Sequence, residues 1–254
     1  MAIYPELKNR IVAITGAAEG IGASTAHAFA EQGAQLALID INDRGIDKVI
    51  AALSPSRGKT LAVRADVTDA ASVAAAMQRI TGELSGLDVL INCAGGYGRL
   101  ATVEDMPLNE WDQTLALNLR SVFLVTKAAI PSLKQSKAGR IINVASISGR
   151  TVFANSSPAY GAAKAGVIQF TRFLAYQLGP AGITSNVIAP ITTLTPRVAA
   201  LRTKEDVERI AGEVPLRRLA VPEDHAQAML FLASDGAAYL NGVTLDINGG
   251  RVMM

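Results

Sequence analysis

The chain alternates, from one end to the other, between short apolar runs and longer segments with helical periodicity. Each apolar run has the length of one strand, and runs that are apolar throughout are typical of strands buried on both faces. The predicted strands are Arg10–Thr15, Gln35–Asp40, Thr60–Arg64, Leu87–Asn92, Arg140–Ala145, Thr184–Ile188 and Val243–Ile247. Since helices connect them, the strands must be parallel. The pattern predicts an α/β fold, with helices on both faces of a central parallel sheet of about seven strands.

Segments with helical periodicity separate these strands. They are Gly20–Gln32, Asp43–Leu53, Asp69–Leu84, Asn109–Lys134, Pro158–Leu178 and Pro222–Ala233. No boundary for a second domain is visible, so we predict a single Rossmann-type, doubly wound domain over residues 1–254. The alternation is interrupted at about residues 191–216, where prolines flank a polar segment. Long insertions of this kind often form lids or binding loops, so we predict that this one contacts the substrate.

Composition and charge exclude several classes of partner. With 24 basic and 22 acidic side chains, the net charge of +2 gives no electrostatic basis for binding nucleic acid. No segment approaches the ~18 apolar residues of a membrane helix, and Met1–Arg10 lacks the apolar run of a signal peptide. Cys93 is the only cysteine, which excludes an intrachain disulfide and fits the cytoplasm. His27 and His225 have no partner at metal-ligand spacing, so we predict no metal site.

A glycine-rich turn follows the first predicted strand. Residues Thr15–Gly22 read TGAAEGIG, and the spacing is GxxxGxG rather than the commoner GxGxxG. Glycines let the backbone approach a pyrophosphate, and the next helix offers unpaired N–H groups and the positive end of its dipole. Three glycines in a loop can also serve chain reversal alone. The position directly after the first strand favours nucleotide binding over that alternative.

Asp40 ends the second predicted strand, about 20 residues beyond the glycine turn. A carboxylate at that place accepts hydrogen bonds from the ribose hydroxyls of adenosine and repels a 2′-phosphate. Glu19 adds a second negative charge inside the turn, and neither position offers the arginine that NADP would need. We therefore predict NAD as the cofactor. The alternative role of Asp40 is a simple cap of the strand end.

Tyr160 and Lys164 lie four residues apart in a predicted helix, which places both side chains on one face. Ser146 ends the preceding strand, at the edge of the sheet where open α/β folds bind ligands. An ammonium and a positive nicotinamide ring favour the phenolate, and lowering a tyrosine pKa from ~10 to about 7 requires roughly 4 kcal/mol. We therefore predict that Tyr160 exchanges a proton with the substrate hydroxyl while nicotinamide C4 exchanges a hydride. Ser146 would hydrogen-bond the same oxygen.

These motifs resemble those of the classical short-chain dehydrogenase/reductase family, over a match from about Leu7 to Gly250. The matching segments are the glycine turn, Asp66-Val67, Asn92-Cys93-Ala94-Gly95, Asn118, Ser146 with Tyr160 and Lys164, Asn186 to Pro196, and the closing run from Pro222 to Gly250. The resemblance implies an oxidoreductase that interconverts a secondary alcohol and a ketone by means of a catalytic tetrad. The members of that tetrad would be Asn118, Ser146, Tyr160 and Lys164. Asn118 would organise a water relay to the lysine.

The resemblance also implies the set of residues that binds NAD. They are Gly16, Glu19, Gly20, Ile21, Gly22, Asp40, Ile41, Asp66, Val67, Asn92, Ala94, Gly95, Tyr160, Lys164, Pro190 and Thr195. Asp66 and Val67 would hold the adenine, and Thr195 would hold the nicotinamide amide. The family is typically homotetrameric, and the helices that carry Asn118 and Tyr160 would form the subunit contacts.

Two departures from the family pattern lie near the predicted site. Ile191 replaces the glycine that usually follows Pro190, so we expect altered backbone and nicotinamide contacts there. Cys93 replaces an asparagine, and we expect a buried, inert thiol. Four loop residues beside the cleft are candidates for contact with the substrate: Tyr97, Ser148, Asn155 and Thr192.

Two other functions fit parts of the same pattern. A nucleotide-binding sensor or scaffold would keep the fold without turnover, but the intact tetrad argues against it. A ketoacyl-carrier reductase would resemble this chain, but that type usually uses NADPH, which Asp40 opposes. An enoyl reductase of the same superfamily would space its tyrosine and lysine more widely. Sugars, steroids, cyclic diols and small aliphatic alcohols all stay open as substrates.

Overall fold

The computed structural model describes residues 2–53, 58–152, 156–200 and 202–253. Within them, seven strands form one parallel sheet. They are β1 (Ile11–Thr15), β2 (Gln35–Asp40), β3 (Thr60–Arg64), β4 (Val89–Asn92), β5 (Arg140–Val144), β6 (Thr184–Pro190) and β7 (Thr244–Ile247). Their order in the sheet is β3-β2-β1-β4-β5-β6-β7. The predicted doubly wound α/β fold is confirmed.

Helices connect successive strands of the described chain. They are α1 (Gly20–Glu31), α2 (Asp43–Ala52), α3 (Ala70–Leu84), α4 (Leu108–Leu115), α5 (Ser121–Leu133), α6 (Pro158–Leu178), α7 (Pro196–Ala200), α8 (Lys204–Gly212) and α9 (Pro222–Ala233). In the described ranges, none of these helices combines the length and apolarity needed to cross a membrane.

The two faces of the sheet bury separate hydrophobic cores. Val12 and Ile14 of β1 pack in the core that includes α1 and α9, whereas Ala13 between them packs in the core that includes α3 and α5. This alternation follows from the two-residue period of a strand. Phe29 of α1 is fully buried in the first core, and burial of such a side chain contributes roughly 1.5–3 kcal/mol to stability. Because helices cover both faces of the sheet, ligands can reach it only through the loops at the ends of the strands.

The strand order reverses at β1. From β1 the chain moves outward to β2 and β3, and it then returns to β4 on the other side of β1. Thr15, at the end of β1, pairs with Ile39 of β2 and with Asn92 of β4. The loops after β1 and β4 therefore lead in opposite directions and leave a crevice at the carboxyl edge of the sheet, where such folds bind ligands.

Two helices near this crevice begin at polar caps. Oδ1 of Asp69 accepts a hydrogen bond from the N–H of Ser72 at 2.6 Å and so caps α3. Oγ of Ser157 accepts one from the N–H of Tyr160 at 3.3 Å, and Pro158 occupies the first position of α6. The cap fixes Tyr160 in the first turn of α6, at the mouth of the crevice.

The long helix predicted over Asn109–Lys134 is confirmed in extent, since the chain is helical from Leu108 to Leu133, but its centre is π-helical. The structure divides it into α4, a π-helical segment at Ala116–Arg120, and α5. Nδ2 of Asn118 donates to the carbonyl oxygen of Thr114 at 3.0 Å, so an amide side chain competes with the backbone ladder. Single π-helical turns of this kind are frequent at functional sites.

Candidate active site

A cavity of about 610 Å³ occupies the crevice at the carboxyl edge of the sheet. Its lining comes from the loops that follow β1 to β6 and from the first turns of α1 and α6. This volume lies within the range of small-molecule and cofactor sites. The cavity brings together nearly all of the residues that the sequence predicted for cofactor and substrate, although they are dispersed over most of the chain.

The glycine turn forms one wall of the cavity. Gly16 has a φ of +67°, and a Cβ atom built on it would lie 2.8 Å from the Cα atom of Ala94. A Cβ atom on Gly22 would overlap the carbonyl oxygen of Gly16. These glycines therefore have no room for side chains, and the bare backbone at the start of α1 is open to an anionic group. Glu19, Gly20 and Ile21 line the same wall.

Asp40 stands beside the glycine turn at the end of β2. Its Oδ2 accepts a hydrogen bond from the N–H of Ala18, and its Oδ1 accepts one from the N–H of Asn42, both at 3.0 Å. The carboxylate thus caps the strand end, as the alternative hypothesis held, and it also lines the cavity. Each oxygen retains a further acceptor position, so the two roles are compatible. Ile41 lines the cavity as its exposed neighbour.

Asp66 and Val67 form the cavity wall that follows β3. Oδ1 of Asp66 accepts hydrogen bonds from the N–H and the hydroxyl of Thr68, at 2.8 and 2.7 Å. These two bonds hold the pKa of the Asp66 carboxyl below its usual value. Val67 is buried and offers an apolar surface. The pair can present a carboxylate and an apolar contact to a flat, polar-edged ring.

The end of β4 is held against β1 by a buried hydroxyl. Oγ1 of Thr15 accepts hydrogen bonds from the N–H groups of Cys93 and Ala94, both at 3.1 Å. Ala94 and Gly95 line the cavity, as predicted for cofactor residues. Burial raises the pKa of the Cys93 thiol to about 12, so this thiol stays protonated and inert near neutral pH.

Asn92 was predicted among the cofactor residues, but the structure places its side chain elsewhere. Its Nδ2 donates to Oδ1 of Asn143 at 2.8 Å and to Oγ1 of Thr126 at 3.0 Å. Asn92 is buried and is not part of the cavity lining. Its amide nitrogen links β4 to β5 and to α5, while its Oδ1 has no hydrogen-bond partner among the described residues. We therefore correct its role to an internal cross-link beneath the site.

The predicted tetrad residues Ser146, Tyr160 and Lys164 converge on the cavity. Nζ of Lys164 lies 5.6 Å from the centroid of the Tyr160 ring and donates to the carbonyl oxygen of Val144 at 2.8 Å. Burial lowers the pKa of Lys164 to about 8. The ammonium is therefore close to the phenol. Because its pKa is near neutral pH, a small change of pH or of nearby charge alters its protonation.

The protein alone does not acidify Tyr160. Burial raises the pKa of its phenol to about 12, and a hydrogen bond with Ser146 offsets part of that rise. A pKa near 7 was predicted from two positive charges, one from Lys164 and one from a bound nicotinamide. The amino-acid chain supplies only one of these charges, and burial opposes it. An acidic phenol therefore requires the cofactor's charge as well.

Asn118 holds the loop that follows β4. Its Oδ1 accepts a hydrogen bond from the N–H of Gly96 at 3.0 Å, and its Nδ2 donates to the carbonyl oxygen of Gly96 at 2.9 Å. A Cβ atom on Gly95 would lie 2.8 Å from this Oδ1 and 3.2 Å from Nζ of Lys164. The side chain of Asn118 thus fixes the loop against which Lys164 packs, a positional role that the sequence did not indicate.

Three of the four predicted substrate residues line the cavity: Tyr97, Ser148 and Thr192. The ring of Tyr97 meets that of Tyr160 edge to face, with centroids 6.1 Å apart. The N–H of Ser148 donates to Oγ of Ser146 at 3.1 Å. Asn155, the fourth candidate, lies outside the described residues. The open space beside Tyr97 and Tyr160 is the place where a substrate can reach the phenol.

The segment after β6 closes the cavity from the other side. Pro190 and Thr195 line it, and a Cβ atom on Gly20 would lie 3.2 Å from Cγ2 of Thr195. Ile191 does not have a positive φ, so the glycine usual at this position is not needed here. Its side chain is buried with Ile147 and Val214. The position therefore accepts a side chain without backbone strain, and the isoleucine packs in an apolar cluster.

Sequence reasoning missed the tie between this segment and α9. The hydroxyl of Thr193 donates to the carbonyl oxygen of Ile191 at 2.8 Å, so it must accept from Nε2 of His225, 2.7 Å away. His225 is fully buried, and Nδ1 has no hydrogen-bond partner in the described chain. Burial lowers its pKa to about 4. A neutral histidine thus holds the loop beside Thr192 in place.

The low pKa of His225 makes stability depend on pH. The unfolded chain binds a proton near pH 6.5 and the folded chain only near pH 4, so stability is lost as pH falls through this interval. We expect the unfolding free energy in urea to fall by about 2 kcal/mol between pH 7 and pH 5. His225→Gln should remove most of this dependence. An equally steep dependence in the variant would contradict the assignment.

Arg197 and Arg202 also line the cavity, and no motif pointed to them. They lie in the segment predicted to contact the substrate, where the sequence shows only a polar, helical pattern. Their position therefore became apparent only when the fold placed α7 beside the loop that follows β4.

Comparisons with known proteins agree with this geometry. The family model described as Enoyl-(Acyl carrier protein) reductase matches residues 16–251. D-threitol dehydrogenase from Mycolicibacterium smegmatis is 38% identical over 244 residues, which cover 96% of this chain and 93% of that protein. Cis-4-hydroxycyclohexanecarboxylate dehydrogenase from Sinomonas cyclohexanicum is 41% identical over 242 residues, or 95% and 96% of the two chains. A solved 3-ketoacyl-(acyl-carrier-protein) reductase from Brucella melitensis, complexed with NADH, is 31% identical with a TM-score of 0.88, over 97% of this chain and 100% of that one.

A doubly wound sheet with a glycine cradle at its switch point, joined to a Ser–Tyr–Lys group, defines an oxidoreductase that uses a nicotinamide cofactor. The matches extend over nearly the whole chain and include dehydrogenases and a reductase. The chain belongs to the short-chain dehydrogenase/reductase family, as its motifs predicted.

Proposed function

We propose that this enzyme uses NAD to interconvert a secondary alcohol and a ketone, with Tyr160 as the general acid and base. The observation that carries the proposal is the placement of Tyr160, Lys164 and Ser146 in one cavity with the glycine turn. A nucleotide on that turn would extend along the carboxyl edge of the sheet toward the phenol. The predicted insertion at about residues 191–216 would then cover the substrate.

The residues present fit a dinucleotide. A Cβ atom at Gly16 or Gly22 would collide with the backbone of Ala94 or of Gly16, so only glycine allows the tight turn that offers its backbone to a pyrophosphate. Asp40 stands where the ribose hydroxyls of adenosine would be, and its charge supports NAD over NADP. The lining after β1 to β3 contains, among described residues, no lysine or arginine for a 2′-phosphate.

Residues of the chain itself would accept and donate the proton. Bound NAD⁺ supplies the acceptor for the hydride that leaves the alcohol carbon, and its ring adds a positive charge beside the phenol. Tyr160 takes the hydroxyl proton as the C–H bond breaks, and it returns a proton to the carbonyl oxygen in the reverse direction. Ser146 donates a hydrogen bond to the same oxygen, and the Lys164 ammonium favours the phenolate.

The substrate class is a compound with a secondary hydroxyl group or the matching ketone. The two dehydrogenases above are named for a polyol and for a ring alcohol with a carboxylate, which supports this class. A ketoacyl-carrier reductase is the second candidate, because a 36% identical relative and two similar structures carry that name. Asp40 and the four-residue spacing of Tyr160 and Lys164 support hydroxyl chemistry with NAD rather than NADPH-dependent or enoyl reduction.

A substrate screen tests the proposal. The purified chain is mixed with NAD⁺ and with D-threitol, 4-hydroxycyclohexanecarboxylate, cyclic diols, sugars or steroid alcohols, and NADH is followed by its absorbance. Acetoacetyl thioesters with NADH or NADPH test the ketoacyl alternative. We expect turnover with at least one secondary alcohol and a preference for NAD⁺. Turnover confined to ketoacyl thioesters and NADPH would overturn the proposal.

We further propose a cytoplasmic homotetramer. The outer faces of α5 and α6 support it, because Phe123, Phe173 and Tyr176 are exposed by 45%, 55% and 84% there. Large aromatic side chains of this kind are typical of subunit interfaces. The single cysteine fits a reducing compartment.

A further inference from the structure

The charged side chains that line the cavity are divided by sign between its two halves. In the loops after β1 to β3 they are acidic, namely Glu19, Asp40 and Asp66. In the elements after β5 and β6 they are basic, namely Lys164, Arg197 and Arg202. Among the described lining residues, no carboxylate belongs to this second half. The half that holds the catalytic tyrosine is therefore positive before any ligand enters.

The guanidinium of Arg197 lies at the catalytic end of the cavity. A Cβ atom built on Gly96 would be 3.7 Å from Nη1 of Arg197. Gly96 is the residue that Asn118 holds by two hydrogen bonds, and the next residue, Tyr97, packs edge-on against Tyr160. The guanidinium thus borders the space in which a substrate would meet the phenol.

Neither Arg197 nor Arg202 has an ion pair or a side-chain hydrogen bond with another described residue. Other arginines of the chain do have such partners: Arg99 with Glu110, Arg150 with Asp246, Arg209 with Glu213, and Arg218 with Asp224. Both cavity arginines consequently retain donors in a planar fork that matches a carboxylate. Their charges face a ligand site rather than an internal acid.

We propose that Arg197, assisted by Arg202, binds a carboxylate group of the substrate, so that the enzyme acts on hydroxy acids and the matching oxo acids. The inference rests on the proposed function and narrows its substrate class. A bound oxidised nicotinamide adds another positive charge to this half, and an anionic substrate compensates it where a neutral alcohol does not. The cofactor's pyrophosphate offers the same oxyanion chemistry, but the glycine turn and the N-terminus of α1 already provide its donors.

Matched acid and amide substrates test the inference. The probes are 4-hydroxycyclohexanecarboxylate and 3-hydroxybutyrate, each compared with its primary amide, with NAD⁺ and the full chain. We expect kcat/KM for an acid to exceed that for its amide at least about tenfold. Arg197→Gln should lower kcat/KM for the acid about 30-fold and for the amide less than about threefold. Arg197→Lys should keep part of the acid preference, and Arg202→Gln should have a smaller effect than Arg197→Gln.

A control variant and a binding measurement show whether Arg197 binds the carboxylate of the substrate or the pyrophosphate of the cofactor. Lys204→Gln removes an exposed charge of the same segment outside the cavity lining and should leave every value unchanged. Calorimetric titration with cyclohexanecarboxylate, in the presence of NAD⁺, should show binding that Arg197→Gln abolishes. A raised KM for NAD⁺ with equal losses for acid and amide would assign the arginine to the cofactor and overturn the inference.

Different results would refute the role of Arg197 and the proposed function. An enzyme that oxidises neutral alcohols well but prefers neither acid to its amide, or oxidises neither acid, refutes the role of Arg197 alone. An enzyme that oxidises no secondary alcohol of the whole screen refutes the proposed function as well.

Discussion

Tyr160→Phe is expected to lower kcat about 1,000-fold while the enzyme still binds NADH. The substitution removes one oxygen atom and keeps the ring, which packs against Tyr97 with centroids 6.1 Å apart. The Lys164 ammonium is held by a hydrogen bond to the Val144 carbonyl, 5.6 Å from the ring centroid, and does not take the place of the lost hydroxyl. The alcohol proton would then have to pass to water. Turnover with a secondary alcohol from the screen and NADH binding by fluorescence measure the two quantities.

A second tyrosine serves as the control for this substitution. Tyr239 is fully exposed and lies outside the cavity lining, so Tyr239→Phe should leave kcat unchanged. The Tyr160 variant should also unfold at nearly the same urea concentration as the unmodified protein, because the lost hydroxyl contributes little to packing. Wild-type turnover in Tyr160→Phe would refute the acid–base assignment. A parallel loss of NADH binding would point to cofactor positioning instead.

Asp40→Asn should shift the preference between the two cofactors. We expect the ratio of kcat/KM for NAD to that for NADP to fall about 100-fold, since the amide keeps the shape of the carboxylate but not its charge. Part of the change is weaker hydrogen bonding to the ribose of NAD, and part is the loss of repulsion toward the 2′-phosphate of NADP. The kinetic constants are measured with both cofactors at a single ionic strength, because the repulsion is screened by salt.

The structure of the β2 end sets the controls for this substitution. Asp40 also accepts hydrogen bonds from the N–H groups of Ala18 and Asn42, and asparagine can retain only one of them as acceptor. The melting temperature must therefore be compared for the variant and the unmodified enzyme. Asp43→Asn removes a nearby exposed charge that pairs with Arg64, and it should change the cofactor ratio less than about twofold. An unchanged ratio in Asp40→Asn would leave Asp40 as a strand cap alone.

The fold was predictable because its signals are local and periodic. The apolar runs marked all seven strands, and the helices between them required a parallel sheet. The position of the glycine turn after the first strand indicated the nucleotide end in the same way. The π-helical turn at Ala116–Arg120, where Nδ2 of Asn118 donates to the carbonyl oxygen of Thr114, was not predictable, because no apolar spacing records it.

The direction of side chains and the position of loops were harder to foresee. Asn92 follows a strand motif that points to the cofactor, but its amide is used in the interior by Asn143 and Thr126. Arg197 became a candidate only when the insertion placed it beside Gly96, about 100 residues earlier in the chain. The sequence also did not show that burial raises the pKa of Tyr160, and this rise makes the predicted acidic phenol depend on the charge of a bound nicotinamide as well as on Lys164.

The seam between β1 and β4 has a consequence for how a dinucleotide enters. Gly16 lies so near the backbone of Ala94 that no Cβ atom would fit between them, and the Thr15 hydroxyl accepts hydrogen bonds from the N–H groups of Cys93 and Ala94. The base of the cavity is therefore built from the ends of two core strands. The binding site for the cofactor is thus preorganised, and binding costs little conformational entropy of the chain. The segment after β6 closes the cavity over this preformed base, and the buried contact between Thr193 and His225 holds it there.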